Sequence, residues 1–264
     1  MPANLQAFLI HRKRCVWNDR TITMNTVYQI SDCHLSDKSS YENLRRALEY
    51  VNEDTKCKTI FLTGDICCNP KHGDYVRLEA FIRRHISDKS IYAIAGNHDD
   101  SSLMRTELKG STIFVTDKAT ICGREVLFLD SSFKPLDDQH PLGSGRIDNR
   151  GTAQLKQQLK KANNPIIVVH HPLIPVGADW MKAIRLENDA DVMNVLRKYR
   201  VREVICGHGH DGITATQQGI TQYMAPSTAY GFNHSINEYN RSEKVGLNRI
   251  SFSAHSIDCQ AIYF

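Results

Sequence analysis

Ile91-Tyr92-Ala93-Ile94-Ala95-Gly96-Asn97-His98-Asp99-Asp100 is an apolar run that meets a glycine and then four polar side chains able to hold a metal or a proton. The run reads as a buried strand, and the glycine lets the backbone beyond it pass close to whatever lies at the strand's carboxyl edge. Taken alone, the pattern is also that of a turn after a core strand, because Asn, Asp and Gly are the ordinary turn residues. It recurs, however, four more times. Val27-Tyr28-Gln29-Ile30 precedes Asp32 and His34, and Thr59-Ile60-Phe61-Leu62 precedes Gly64-Asp65. Ile166-Ile167-Val168-Val169 precedes His170-His171-Pro172, and Val204-Ile205-Cys206 precedes Gly207-His208-Gly209-His210. Strands that all deliver polar groups at the same end imply one site built across their edge.

Between these strands the apolar period changes. Tyr41, Leu44, Ala47, Leu48 and Val51 form a single stripe at helical spacing, and shorter stripes follow at Leu78, Phe81 and Ile82, at Leu155, Leu159 and Ala162, and at Val192, Val195, Leu196 and Tyr199. Strand, loop, helix, strand is the crossover unit of a largely parallel sheet. Residues 120–129 and 213–221 depart from it and read as antiparallel hairpins turning at Gly123 and Gly219. Residues 131–150 are polar, contain Pro and Gly, and are too long for a simple connector, so they are expected to overhang the site. After Pro226, short strands such as 249–252 are expected to complete a second sheet.

The whole chain sets the frame. Its 264 residues can bury a sizeable core as one domain, and residues 1–23 lack periodicity, so the division expected is a tail over 1–23 and a domain over 24–264, with Met24 a candidate start. No apolar run approaches the roughly 20 residues of a membrane span. The basic run His11-Arg12-Lys13-Arg14 follows the few apolar residues of 1–10 instead of preceding them, which is the wrong order for a secretory signal. Eight cysteines without a Cys-x-x-Cys pair then read as reduced thiols of a cytoplasmic protein. A net charge of +4, dispersed and not interleaved with aromatics, argues against a dedicated nucleic-acid binder.

Asp32 and His34, like His208 and His210, stand two residues apart, and in extended backbone such residues face the same side. Two neighbouring ions could share them, with Cys33 facing away as filler. Asp65 offers two oxygens, the natural bridge between ions about 3.5–4 Å apart. The donor set of imidazole, carboxylate and amide, without thiolate, suits Mn²⁺, Fe²⁺/Fe³⁺, Co²⁺ or Zn²⁺.

Asp-x-His, Gly-Asp, Gly-Asn-His-Asp, His-His-Pro and Gly-His-Gly-His, in that order and each after an apolar strand, resemble the signature of the calcineurin-like metallophosphoesterase superfamily. The resemblance spans residues 27–227. It implies an α/β (α+β) fold, a four-layer αββα sandwich of two mixed β-sheets flanked by helices, with a binuclear site at the strand carboxyl ends. Carried over by position, it implies that Asp32, His34 and His210 hold one ion, that Asn97, His170 and His208 hold the other, and that Asp65 bridges. The first histidine of His170-His171 is the one that would ligate. Thr63-Gly64-Asp65 and Gly96-Asn97-His98-Asp99 look like the cyclic-nucleotide phosphodiesterase branch, since protein phosphatases of the superfamily carry Glu and then Arg after Gly-Asn-His. Gly177-Ala178-Asp179-Trp180, Arg185-Leu186-Glu187-Asn188 and Ala225-Pro226-Ser227-Thr228 are similar to stretches of bacterial class III cyclic AMP phosphodiesterases. Ile66-Cys67-Cys68-Asn69 departs from the more acidic pattern usual after the bridging aspartate.

What this implies is a metal-dependent hydrolase that opens 3′,5′-cyclic AMP to 5′-AMP by a metal-bridging hydroxide, with His98 as general acid. Its partner would be a small phosphodiester, not nucleic acid or membrane. A broader phosphodiesterase or phosphatase is the alternative, acting on glycerophosphodiesters, 2′,3′-cyclic nucleotides or other nucleotides. A non-catalytic scaffold is a third reading, disfavoured because every ligand position and His98 are present.

Overall fold

The computed structural model describes residues 25–264. The tail expected over 1–23 and the start at Met24 lie outside the described residues. β1 (Asn25–Ile30), α1 (Lys38–Glu53), β2 (Thr59–Thr63), α2 (Asp74–His85), β3 (Ser90–Ile94), α3 (Ser101–Glu107) and β4 (Ile113–Phe114) alternate as the periodicity implies. β5 (Lys118–Ile121) and β6 (Arg124–Leu129) form the first hairpin, followed by α4 (Asn149–Leu159), β7 (Ile166–Val169), α5 (Asp179–Ala183), α6 (Asp189–Lys198) and β8 (Glu203–Cys206). β9 (Ile213–Gln217) and β10 (Ile220–Met224) form the second hairpin, and β11 (Gly246–Phe252) and β12 (Ile257–Tyr263) end the chain.

The strands assemble into two mixed sheets of six, ordered β12-β11-β1-β2-β3-β4 and β5-β6-β7-β8-β10-β9. Within them β1-β2-β3-β4 and β6-β7-β8 are parallel, so their carboxyl ends share an edge in each sheet. The expectation for the end of the chain needs one correction. Residues 249–252 lie in β11, which pairs antiparallel with β1 and so extends the first sheet instead of completing the second. Burial on both sides suits β11 equally to either sheet, and the choice is made by where the chain returns, which local pattern does not encode.

Alternation along each strand explains the layering. Ile60 and Leu62 of β2 pack outward on Leu44, Leu48 and Val51 of α1 and Leu78 and Ile82 of α2, while Phe61 points inward. In the second sheet Ile167 and Val169 face Leu155 of α4 and Leu196 of α6, while Ile166 and Val168 face inward to meet Phe61, Val27 and Phe252. Three apolar layers separate four structural ones, the αββα sandwich. Each fully buried aliphatic side chain contributes about 1.5–3 kcal/mol, which is what holds short helices such as α6 in place. One polar tie crosses the inner layer: Gln29 Nε2 donates to Thr63 Oγ1 at 2.9 Å and to the Cys206 carbonyl at 2.8 Å, and Asn248 Nδ2 donates to Gln29 Oε1 at 3.0 Å. Because the tie lies just before the strand ends, it fixes one sheet's edge against the other's. Among the described residues no helix is long and apolar enough to cross a membrane.

Candidate metal centre

The five strand-end segments converge. His34 Nε2 lies 3.2 Å from His210 Nε2, which lies 3.2 Å from Asp32 Oδ1. His170 Nε2 lies 3.3 Å from Asn97 Oδ1 and 3.5 Å from Asp65 Oδ2. That same Asp65 oxygen is 3.8 Å from His34 Nε2, so it stands between the two groups. The candidate ligands other than Asn97 are buried, whereas Asn97 and His98 are half-buried at the mouth.

Asp-x-His and His-x-His bring their residues together, but not by the extended backbone their spacing suggested. Asp32, His34, Asp65, His208 and His210 all adopt the left-handed conformation, with φ of 53°, 43°, 48°, 73° and 55°. Residues other than glycine are strained there, on the order of 1–3 kcal/mol each. Tertiary hydrogen bonds hold them: the Asp32 and His34 amides donate to the carbonyls of Gly64 and Asp65 at 3.0 and 2.9 Å, and the His208 amide donates to Asp32 Oδ2 at 3.0 Å. Gly96 is required by close approach, since a Cβ there would overlap the Asp65 carboxylate and the His170 ring.

Outer hydrogen bonds set the histidine tautomers. His170 Nδ1 donates to the Thr63 carbonyl at 2.8 Å, and His210 Nδ1 donates to the Tyr230 carbonyl at 2.8 Å, which turns each Nε2 toward the centre as the atom available to a metal ion. His208 is reversed, its Nε2 donating to the Ile184 carbonyl at 3.1 Å and its Nδ1 left for the centre. Asp32 Oδ1, buried, accepts no hydrogen bond. Imidazole nitrogens and carboxylate oxygens crowded together in a buried site need positive charge among them, which protons or metal ions can supply. The donor set therefore fits a pair of metal ions.

The electrostatics point the same way. Burial pushes the His34 and His208 pKa values down to about 4 and 3, which keeps both imidazoles neutral as ligands must be. For His170 burial also lowers the pKa, but the Asp65 charge outweighs it and raises the value to about 9. The negative charge that retains a proton there attracts a metal ion equally. Burial raises Asp65 as well, yet the adjacent His170 and His34 hold it well below the usual carboxylate range.

A family model described as Calcineurin-like phosphoesterase matches residues 26–212. The chain belongs to that family. It is 27% identical over 222 residues to a probable cyclic nucleotide phosphodiesterase of Psychrobacter sp., matching 78% of this chain and 62% of that protein, so it spans under two thirds of that relative. A probable cyclic nucleotide phosphodiesterase of Ruthia magnifica is 26% identical, with 78% of this chain and 87% of that protein aligned. A cAMP/cGMP dual specificity phosphodiesterase of Mycobacterium tuberculosis is also 26% identical, over 84% of this chain and 72% of its own length. In structure, a dimetal phosphatase from Danio rerio superposes with a TM-score of 0.66 at 15% identity, covering 89% of this chain and 95% of that one. GAP50, the anchor in the inner membrane complex of Plasmodium, superposes with a TM-score of 0.64 at 13% identity over 91% and 84%. Likenesses at such identity speak for the calcineurin-like fold and not for an activity.

Several residues at the calcineurin-like site lie outside the expected ligand set. His171, beside His170, has both ring nitrogens engaged by protein, Nδ1 with Ser131 Oγ at 2.8 Å and Nε2 with the Gly143 carbonyl at 3.0 Å, which removes it from the ligands. The Gly143 contact also brings residues 131–150 beside the site, as expected. Asp99 replaces the acidic pattern missing after Asp65: its carboxylate accepts from the amides of Ile66, Cys67 and Gly96 at 3.0, 2.9 and 3.0 Å and from Tyr75 Oη at 3.0 Å. Asp65 itself is supported by the His98 amide, which donates to Oδ1 at 2.8 Å.

The three stretches that carried the class III resemblance position loops. Ser227 Oγ donates to the Asp32 carbonyl at 2.8 Å, and Glu187 accepts from the Leu136 and Asp137 amides and pairs with Arg146. Trp180 packs edge-on against Phe232 at 5.0 Å, and Phe232 stacks on the His210 ring at 4.4 Å. Tyr230 covers His34 at 5.3 Å, and the Arg241 guanidinium lies 4.0 Å above the Tyr230 ring. Neither Tyr230 nor Arg241 sits in a periodic or motif-bearing stretch, so no local signal marked them.

Proposed function

We propose that the chain is a binuclear metal-dependent phosphodiesterase that hydrolyses 3′,5′-cyclic AMP to 5′-AMP. Asp32, His34 and His210 would hold one ion, Asn97, His170 and His208 the other, and Asp65 would bridge them. The observation that carries the reading is the inward-facing set of imidazole, carboxylate and amide donors with Asp65 Oδ2 between its halves. When bound, such a pair supplies an activated water and neutralises charge on the phosphoryl oxygens. Mn²⁺, Fe²⁺/Fe³⁺, Zn²⁺ and Co²⁺ all suit these donors.

The chain's own groups do the rest. His98 is held at the mouth by the hydrogen bond its backbone amide donates to Asp65 Oδ1, its ring edge-on to His34 at 4.9 Å, and neither of its ring nitrogens is needed by the ligand set. It is the group placed to protonate the departing ribose oxygen. Arg241, fixed by its Nε hydrogen bond to Tyr239 Oη at 2.8 Å and by stacking on Tyr230, sets a positive charge beside the approach of an anionic diester. The names of the Ruthia and Mycobacterium relatives support a cyclic nucleotide as that diester.

General acid catalysis is worth about 10²–10⁴-fold where the leaving group needs a proton. His98→Ala should approach that loss on cyclic AMP and lose far less on bis(p-nitrophenyl) phosphate, whose phenolate departs unprotonated. Equal losses at saturating metal would remove the acid role. A kcat/KM panel of cyclic AMP, cyclic GMP, 2′,3′-cyclic AMP, a glycerophosphodiester and a phosphomonoester tests the substrate. Cyclic AMP slower than several of these by more than about tenfold would overturn it, and no metal-dependent turnover of any would favour a scaffold.

A further inference from the structure

Cys68 is a thiol at the mouth of the centre that the proposed hydrolysis does not use. Its Sγ lies 3.9 Å from His98 Nδ1, and donor atoms of Cys68, His98 and His34 all lie within 4.8 Å of one another. Cys33, Cys67 and Cys206 are buried in the core, whereas Cys68 is half-buried and faces the imidazoles. A tetrahedral ion bound at about 2.3 Å to sulfur and about 2.0–2.1 Å to nitrogen sets its donors roughly 3.5 Å apart, so small side-chain rotations close this triangle.

We propose that Cys68, His98 and His34 form an outer site for a soft divalent ion such as Cd²⁺, and that its occupation inhibits the enzyme. Binding exchanges the Cys68 thiol proton for the ion and takes up the His98 lone pair that would otherwise carry the proton to the leaving group. His34 counts among the donors of both the outer site and the inner pair, so the outer ion also draws on a ligand of that pair. Mn²⁺, a harder ion, has little affinity for thiolate and is left to the inner donors. Soft ions thus inhibit at the mouth while hard ions activate within. The inhibitory half of the proposal rests on the role given to His98 above; the binding half does not.

The full chain loaded with Mn²⁺ is titrated with Cd²⁺, as wild type and as Cys68→Ser, following the ultraviolet thiolate-to-cadmium band and hydrolysis of cyclic AMP. The expected result is a band in wild type that Cys68→Ser loses. The Cd²⁺ concentration for half-inhibition should rise by at least about tenfold in the variant, with the Mn²⁺-supported rate unchanged. An equal band in both proteins overturns the site. A band lost with unchanged inhibition overturns its inhibitory role. If the chain turns over no diester, the band alone decides the site, and the failure belongs to the hydrolase reading.

Discussion

At the scale of single residues, Asp65 and Asp99 divide the work of one strand-end crossing. Asp65 Oδ2 stands 3.5 Å from His170 and 3.8 Å from His34, so its removal reaches both halves of the centre, while His170 belongs to one. Elemental analysis after dialysis should find both metal sites emptied in Asp65→Ala and mainly one in His170→Ala, and full retention in Asp65→Ala would exclude a bridge. Asp99 touches neither half, but its two oxygens accept four donors from the loops after β2 and β3 and from α2. In Asp99→Asn one oxygen becomes an NH₂ that faces donors, so each hydrogen bond on that side is lost and its partner left buried. A destabilisation of about 1–3 kcal/mol is expected in chemical denaturation, with weaker metal retention because the Asp65 loop is no longer tied to the Asn97 loop. A stability equal to wild type would show that these bonds are not made in solution.

At the scale of elements, what could be read from the sequence was what the strands must do locally. Apolar β-rich runs ending in Asp, Asn and His identified the edge, the ligand candidates and the alternation of strand and helix, because burial and ligand chemistry are properties of residue type. Two things were not legible. The left-handed turns at Asp32, His34, Asp65, His208 and His210 are imposed by hydrogen bonds from other segments, against each residue's own preference. The wall formed by residues 229–245 has no regular structure to betray it, and its aromatic rings acquire meaning only when Tyr230 and Phe232 land on His34 and His210. That wall makes its own expectation. If the proposed function holds, Arg241 would meet substrate from outside the metal pair, so Arg241→Ala should raise KM for cyclic AMP several-fold with kcat little changed, the pattern of a contact made equally in ground and transition states. The measurement is steady-state kinetics at low ionic strength, where an exposed charge acts most strongly. A fall in kcat at unchanged KM would place Arg241 in the chemical step instead.

At the scale of the whole molecule, the metal centre and the tie of Gln29 and Asn248 that aligns the sheets beneath it both bear on stability. Only the first titrates, and its groups pull in opposite directions over separate pH windows. His34 and His208 are held at about 4 and 3 against an ordinary 6.5, so between those values the unfolded chain binds more protons, and stability rises with pH up to about 6.5. Burial, helped by Asp65, raises Asp99 to about 6 from 3.8, which subtracts part of that gain below 6. His170 is raised from 6.5 to about 9, so above 6.5 the folded chain binds the extra proton, and the stabilisation it gives is lost as pH climbs to 9. The chelated protein should therefore show a Tm maximum near pH 6.5, with a decline toward pH 9. In the proposed ligand set metal ions would take the place of the His170 proton, with an affinity that rises as that proton leaves, so the loaded protein should not decline over 6.5–9. Thermal melts at half-unit pH intervals, with chelator and with Mn²⁺, measure both curves. His170→Gln removes the titrating group and should flatten the alkaline limb of the chelated protein; a limb that persists in this variant would assign the decline to a different group.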